Sequence, residues 1–116
     1  MQYLLLIYED ESVWAALPAA ERERHVAEYQ AVHDELAARG CLRGSNPLGP
    51  VSSATSLRVR DGRSVLSVGP FAETPEQLGG YYHVELEDLD EAIAIAERLP
   101  AARTGTIEIR PAGHQA

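Results

Sequence analysis

Lysine is absent from this chain, and cysteine, methionine, tryptophan and phenylalanine occur once each. The single cysteine, Cys41, excludes an intramolecular disulfide and a thiolate zinc site. It reads as a small residue at a helix-to-strand join, as free cysteines usually are. With no lysine and a formal net charge of −8, the surface repels phosphate backbones. The arginines are scattered along the sequence, so nucleic-acid binding is not expected, although a local basic pocket is compatible with the balance. Glycine and proline are spread rather than clustered, which excludes low-complexity tracts. No long hydrophobic run occurs. "MQYLLLIYEDES" is too short to span a bilayer and has no basic segment before it, so it reads as a first strand. No membrane association is expected, and the cytoplasm is the default location.

Chemical signatures are equally sparse. HxH and HExxH spacings are missing, so no metal site is expected. Gly79-Gly80 lacks the lysine and following helix of a phosphate loop. No GxSxG or Ser–His–Asp pattern appears, and nothing calls for a cofactor.

What is present is an ordinary globular composition, 45% hydrophobic and 24% charged over 116 residues, which suits one domain over 1–116. "YLLLIY" (Tyr3–Tyr8) reads as a buried strand bounded by Glu9-Asp10-Glu11. Ser12–Leu17 suits a short helical turn with Trp14 and Leu17 on one side. Pro18 then opens a longer helix that ends near Arg39 with Gly40 as its left-handed cap. At 100° per residue its apolar stripe is Val26, Tyr29, Val32 and Leu36, with His25 in the stripe and His33 towards its edge. Leu42–Pro50 is a short extended segment. Two alternating runs, Thr55–Arg60 and Ser64–Val68, flank Asp61-Gly62 and predict a hairpin. "YYHVELE" alternates again, placing Tyr82, Val84 and Leu86 opposite Tyr81, His83 and Glu85. Asp88 caps a second helix in which Leu89, Ala92, Ile93 and Ala96 form the stripe and Pro100 the stop. Thr106–Pro111 is a last strand with Ile107 and Ile109 facing the helices.

This order predicts an α+β fold, a ferredoxin-like split βαβ with an added hairpin and two helices on one face of an antiparallel sheet. The second face would carry Tyr81, His83, Glu85, Glu108 and Arg110. Covering it by sheet-to-sheet pairing predicts a homodimer, a dimeric α+β barrel.

Between hairpin and strand lies "GPFAETPEQLGGYY". Thr74, Pro75 and Gln77 read as a capping box for one helical turn, Phe71 as a plug into the core, and Gly79-Gly80 as a reversal into the next strand. That stretch, with "DLDEAIAIAERLP", "TIEIRP" and the N-terminal "YLLLIYEDESVWAAL", resembles the DGPF branch of the YCII-related proteins over nearly the whole chain. The resemblance implies a ferredoxin-like dimer whose sheets pack face to face, often encoded beside extracytoplasmic-function sigma factors. It also implies a His–Asp pair in a cleft as a suggested catalytic centre. Val68 occupies the position of the motif aspartate here, so the motif does not supply that carboxylate.

The candidate catalytic residues are therefore His25, near a helix start, His83, on the outward face of its strand, and Glu73, a substitute carboxylate. Each has a plainer reading as a structural histidine or a helix-end charge. Phe71, Glu73, Tyr81 and His83 are the candidate ligand contacts. His33 and Asp34 are neighbours that point about 100° apart on a helix and so do not form a dyad. His114 lies in a tail. Two functions fit: a homodimeric module binding a small molecule or a partner, with a sigma-factor-linked role, or a cofactor-independent lyase or isomerase using a histidine and a carboxylate in the dimer cleft.

Overall fold

A computed structural model describes residues 1–113. Strand β1 (Gln2–Glu9) is followed by a short helix α1 (Glu11–Ala16) and the long helix α2 (Ala19–Ala38). Strand β2 (Leu42–Pro47) leads through a single 3₁₀ turn (Val51–Ser53) to the hairpin strands β3 (Thr55–Arg60) and β4 (Arg63–Val68). Strand β5 (Gln77–Glu85), helices α3 (Leu89–Ala96) and α4 (Ala101–Thr104), and strand β6 (Thr106–Pro111) complete the order.

Four strands form one antiparallel sheet in the order β2-β5-β1-β6, compatible with a ferredoxin-like plan. The apolar strand β1 lies inside the sheet, where both edges of its backbone are paired. Its alternate residues Tyr3, Leu5 and Ile7 join Tyr82 and Val84 of β5 on one face. Onto that face pack Val32 and Leu36 of α2, Ala92 and Ile95 of α3, and Leu99 and Ala101 beyond it. The other face carries Leu4 between His83 and Arg110, and Leu6 between Tyr81 and Glu108. No helix of the described residues is long and apolar enough to cross a membrane.

Local chemistry sets the element ends. The Asp10 carboxylate accepts from the Ser12 N–H at 2.9 Å and starts α1. At α3 the Asp88 carboxylate accepts from the Glu91 N–H at 2.9 Å, while the Glu91 carboxylate reaches back to the Glu87 N–H at 2.9 Å. Glu91 also pairs with Arg39 at the end of α2. Arg98–Glu35 and Arg103–Glu28 make two more links from the α3–α4 region to α2. Such exposed pairs are screened by solvent, so they set the register of the helices more than their stability.

The hairpin forms a separate two-stranded ribbon, paired from Thr55↔Val68 to Arg60↔Arg63. Asp61 and Gly62 both adopt positive φ, the backbone that a two-residue hairpin turn needs. The ribbon stands off the body: the radius of gyration is 16.0 Å, against about 13 Å for a compact chain of this length.

Several expectations need correction. Pro18 is the N-cap of α2 rather than its first helical residue. Val26 does not join the core and is 57% exposed, because the helix stripe at that turn faces an open pocket instead of packed side chains. In α3 the buried residues are Ala92, Ile95 and Ala96, whereas Leu89 and Ile93 are exposed. The helix presents a face rotated towards Ile95, so that Leu99 can be buried beyond it. Pro100 is not where α3 ends: that helix finishes at Ala96 with Glu97 as its C-cap, and Pro100 is instead the N-cap of the short helix α4. "TPEQ" makes no helical turn. Its Gln77 side chain is braced into the loop, donating from Nε2 to the Ala72 carbonyl at 2.9 Å and to Thr74 Oγ1 at 3.0 Å. Phe71 is 82% exposed and plugs nothing. Gly79 and Gly80 lie inside β5, where Gly79 is the extra residue of a bulge opposite Ile7 and Tyr8. His114 lies outside the described residues.

Candidate functional site

The best-formed cavity, of about 330 Å³, opens between the N-terminal half of α2 and the β2–β5 side of the sheet. Ile7 and Glu9 of β1, Trp14 of α1, and Val26, Tyr29, Gln30 and His33 of α2 form much of its wall. Ser45–Pro47 and Gly79–Tyr82 form the rest. The cavity exists because α2 covers only part of the sheet with large groups: Val32 and Leu36 fill the space at its C-terminal half, while Val26 and Tyr29 leave a gap. Gly80 keeps the floor low. A Cβ there would stand 3.1 Å from the Asn46 carbonyl oxygen and 3.7 Å from Ile7 Cδ1.

One polar cluster sits in this mostly aromatic and aliphatic surround. The Tyr29 hydroxyl donates to Glu9 Oε1 at 3.2 Å and accepts from the Ala101 N–H at 3.1 Å. Thr104 donates to the same Glu9 oxygen at 3.4 Å, and the Tyr82 hydroxyl donates to the Tyr29 carbonyl at 2.8 Å. Burial, reinforced by the Glu9 charge, holds the Tyr29 phenol well above its ordinary range. Burial alone pushes the Tyr82 phenol up to about 12. Tyr29 is therefore a fixed hydrogen-bond donor, and Glu9 presents its second oxygen without a hydrogen-bond partner among the described residues.

At the rim, His33 Nδ1 lies 3.3 Å from Asp34 Oδ1, and Gln30 Nε2 donates to that oxygen at 2.8 Å. This corrects the expectation that the two neighbours stay apart. Their Cβ atoms diverge, but both side chains lean back towards Gln30 one turn earlier. The Gln30 and His33 contacts hold the Asp34 carboxyl below its usual range.

The sequence candidates do not converge on this cavity. Tyr81 lines it, with its hydroxyl accepting from Asn46 Nδ2 at 3.0 Å. His25 lies beside Trp14, the ring centroids 6.0 Å apart, and its Nδ1 is buried without a hydrogen-bond partner among the described residues. His83 lies on the open sheet face with Nε2 2.7 Å from Gln2 Oε1. Phe71 and Glu73 belong to the exposed connection after the hairpin. Glu9, Trp14, Tyr29 and His33, which the cavity does bring together, carry no local motif. Their one signal is that Glu9 continues the inward alternation of Tyr3, Leu5 and Ile7 and so points under the helix.

The YCII-related domain family matches residues 1–112. An uncharacterized protein of Rhizobium meliloti (strain 1021) is 40% identical over 113 residues, covering 96% of this chain and 91% of that protein. A match of that extent takes in both the cavity-forming strands and the hairpin. The chain belongs to the YCII-related domain family.

Proposed function

We propose that this chain is a small-molecule-binding module of the DGPF branch of its family, working as a cytoplasmic homodimer in a sigma-factor-linked setting. The observation that carries the ligand reading is the cavity of about 330 Å³ with one carboxylate set in aromatic and aliphatic walls. That volume lies at the low end for ligand sites, enough for a compact single-ring compound. The unpartnered Glu9 oxygen would take a hydroxyl or amine proton from it, while Trp14, Val26 and Tyr82 contact its body. The homodimer reading is supported by the open sheet face, where Leu4, Leu6 and Tyr8 are not covered by any helix.

Trp14 is the one tryptophan and stands in the wall, so ligand entry changes its emission directly. Titration with a panel of small aromatic amines and phenols should give a saturable change in Trp14 emission that Glu9→Gln weakens and Val26→Phe blocks. A panel that leaves the wild-type emission unchanged throughout overturns the reading.

A second reading, a cofactor-independent lyase or isomerase, is favoured by one observation. Glu9 and His33 both line the cavity, giving it two groups able to move protons beside the fixed Tyr29 donor. Turnover of any panel member that stops in Glu9→Gln would support it over simple binding.

A further inference from the structure

Glu9 is a half-buried carboxylate with no ion-pair partner among the described residues. The Tyr29 and Thr104 hydroxyls both donate to its Oε1, and Oε2 is left over. Neutral hydroxyls satisfy hydrogen bonds without cancelling a charge, so the negative charge stays uncompensated among rings and aliphatic groups. No lining side chain cancels it. The lining contains no arginine, and the chain has no lysine. Its basic side chain, His33, already has the Asp34 carboxylate 3.3 Å from Nδ1.

The neutral groups of the wall point the same way. Gln30 donates from Nε2 to Asp34 at 2.8 Å, and a carboxylate only accepts, so the free end of this amide is its oxygen. Asn46 donates from Nδ2 to the Tyr81 hydroxyl at 3.0 Å. Glu9 Oε2, Gln30 Oε1 and Asn46 Oδ1 are therefore acceptors without a hydrogen-bond partner among the described residues. An ammonium group carries three donors and no acceptor, which complements that set. An alcohol brings one donor, and a carboxylate brings none. The one tryptophan and three of the five tyrosines, Tyr29, Tyr81 and Tyr82, also line the cavity. Aromatic rings attract a cation through their quadrupole. A chain at −8 adds a longer-range pull of the same sign.

We infer that the cavity takes a compact organic cation, a primary ammonium on a single-ring apolar body, whose N–H groups donate to Glu9 Oε2. This rests on the small-molecule reading above and deepens it by fixing the charge of the ligand. Neutral hydroxyl compounds of the same shape are weak occupants, and carboxylates are rejected by Glu9.

The test titrates the full chain at neutral pH with benzylamine in its ammonium form, benzyl alcohol and benzoate, which share one ring and differ in charge. Trp14 emission is read with excitation at the red edge of indole absorption, where the probes do not absorb. The inference expects saturable binding of benzylammonium, benzyl alcohol at least about tenfold weaker, and no saturation with benzoate. Glu9→Gln should raise the dissociation constant of benzylammonium to that of the alcohol while leaving circular dichroism unchanged. The comparison of probes on the wild type needs no variant, so it decides the charge preference even if Glu9→Gln folds poorly. Benzyl alcohol or benzoate binding as tightly as benzylammonium overturns the cation inference and leaves the small-molecule reading standing. A preference for the ammonium that persists in folded Glu9→Gln overturns it as well, because the charge is then read elsewhere. If neither these probes nor the wider panel changes the emission, both readings fall.

Discussion

The Tyr29 hydroxyl joins three parts of the chain at one point, donating to Glu9 Oε1 at 3.2 Å and accepting from the Ala101 N–H at 3.1 Å. It ties the end of β1 to the start of α4 from the middle of α2. Tyr29→Phe leaves a backbone donor and a carboxylate without that partner. A half-buried loss of this kind costs about 1–3 kcal/mol. Urea unfolding should show it, with Glu9→Gln costing less because an amide oxygen can still accept.

The two raised phenols give the protein an alkaline limit. Tyr82 titrates near 10 in the unfolded chain and at about 12 when folded, and Tyr29 is raised as well. Their contribution is fully present below about pH 10, where both states are protonated. Above it the unfolded chain releases protons that the folded chain keeps, so stability falls with rising pH. The urea midpoint should drop steadily from about pH 10 to about pH 12, and Tyr82→Phe should flatten that slope. A midpoint independent of pH across this window contradicts the burial of these groups.

Two residues of one helix stripe should respond oppositely to truncation. Leu36 is fully buried and Val26 is 57% exposed. Leu36→Ala should cost about 2–5 kcal/mol, whereas Val26→Ala should stay within about 0.5 kcal/mol. Chemical denaturation of the two variants decides it. Equal losses would mean that the gap under Val26 is closed.

Gln77 should act locally. Its amide braces the Ala72 carbonyl and Thr74 within the connection that follows the hairpin. Gln77→Ala should speed protease cleavage within residues 69–76 while leaving the thermal midpoint of the whole chain nearly unchanged. A matching fall in both would place the loop in the cooperative core.

Strands were the legible part of the sequence. Period-2 alternation marked Tyr82, Val84 and Leu86 as inward, and Asp61-Gly62 marked the turn, because both signals are written in adjacent residues. Helix faces were harder. Val26 obeys the periodicity of α2 yet faces an opening, since periodicity reports the direction of a side chain and not what stands opposite it. The buried face of α3 departs from its apparent stripe for a related reason: Leu89 and Ile95 are both apolar, and only the position of the sheet decides between them. "TPEQ" shows local chemistry without its usual outcome, as Thr74 and Gln77 do bond to one another, but the chain between them is drawn out to enter β5. The cavity residues Glu9, Trp14, Tyr29 and His33 come from three elements, and no spacing along the chain could have gathered them.

The Leu48 N–H donates to the Gly79 carbonyl at 2.9 Å, so the chain leaves the four-stranded sheet and re-enters it at neighbouring points. Everything between is a detour with closed ends. Lengthening, shortening or exchanging it changes loop entropy only logarithmically and leaves the register of β2 on β5 untouched. Residues 49–76 can therefore vary in length and sequence without renegotiating how the sheet is paired.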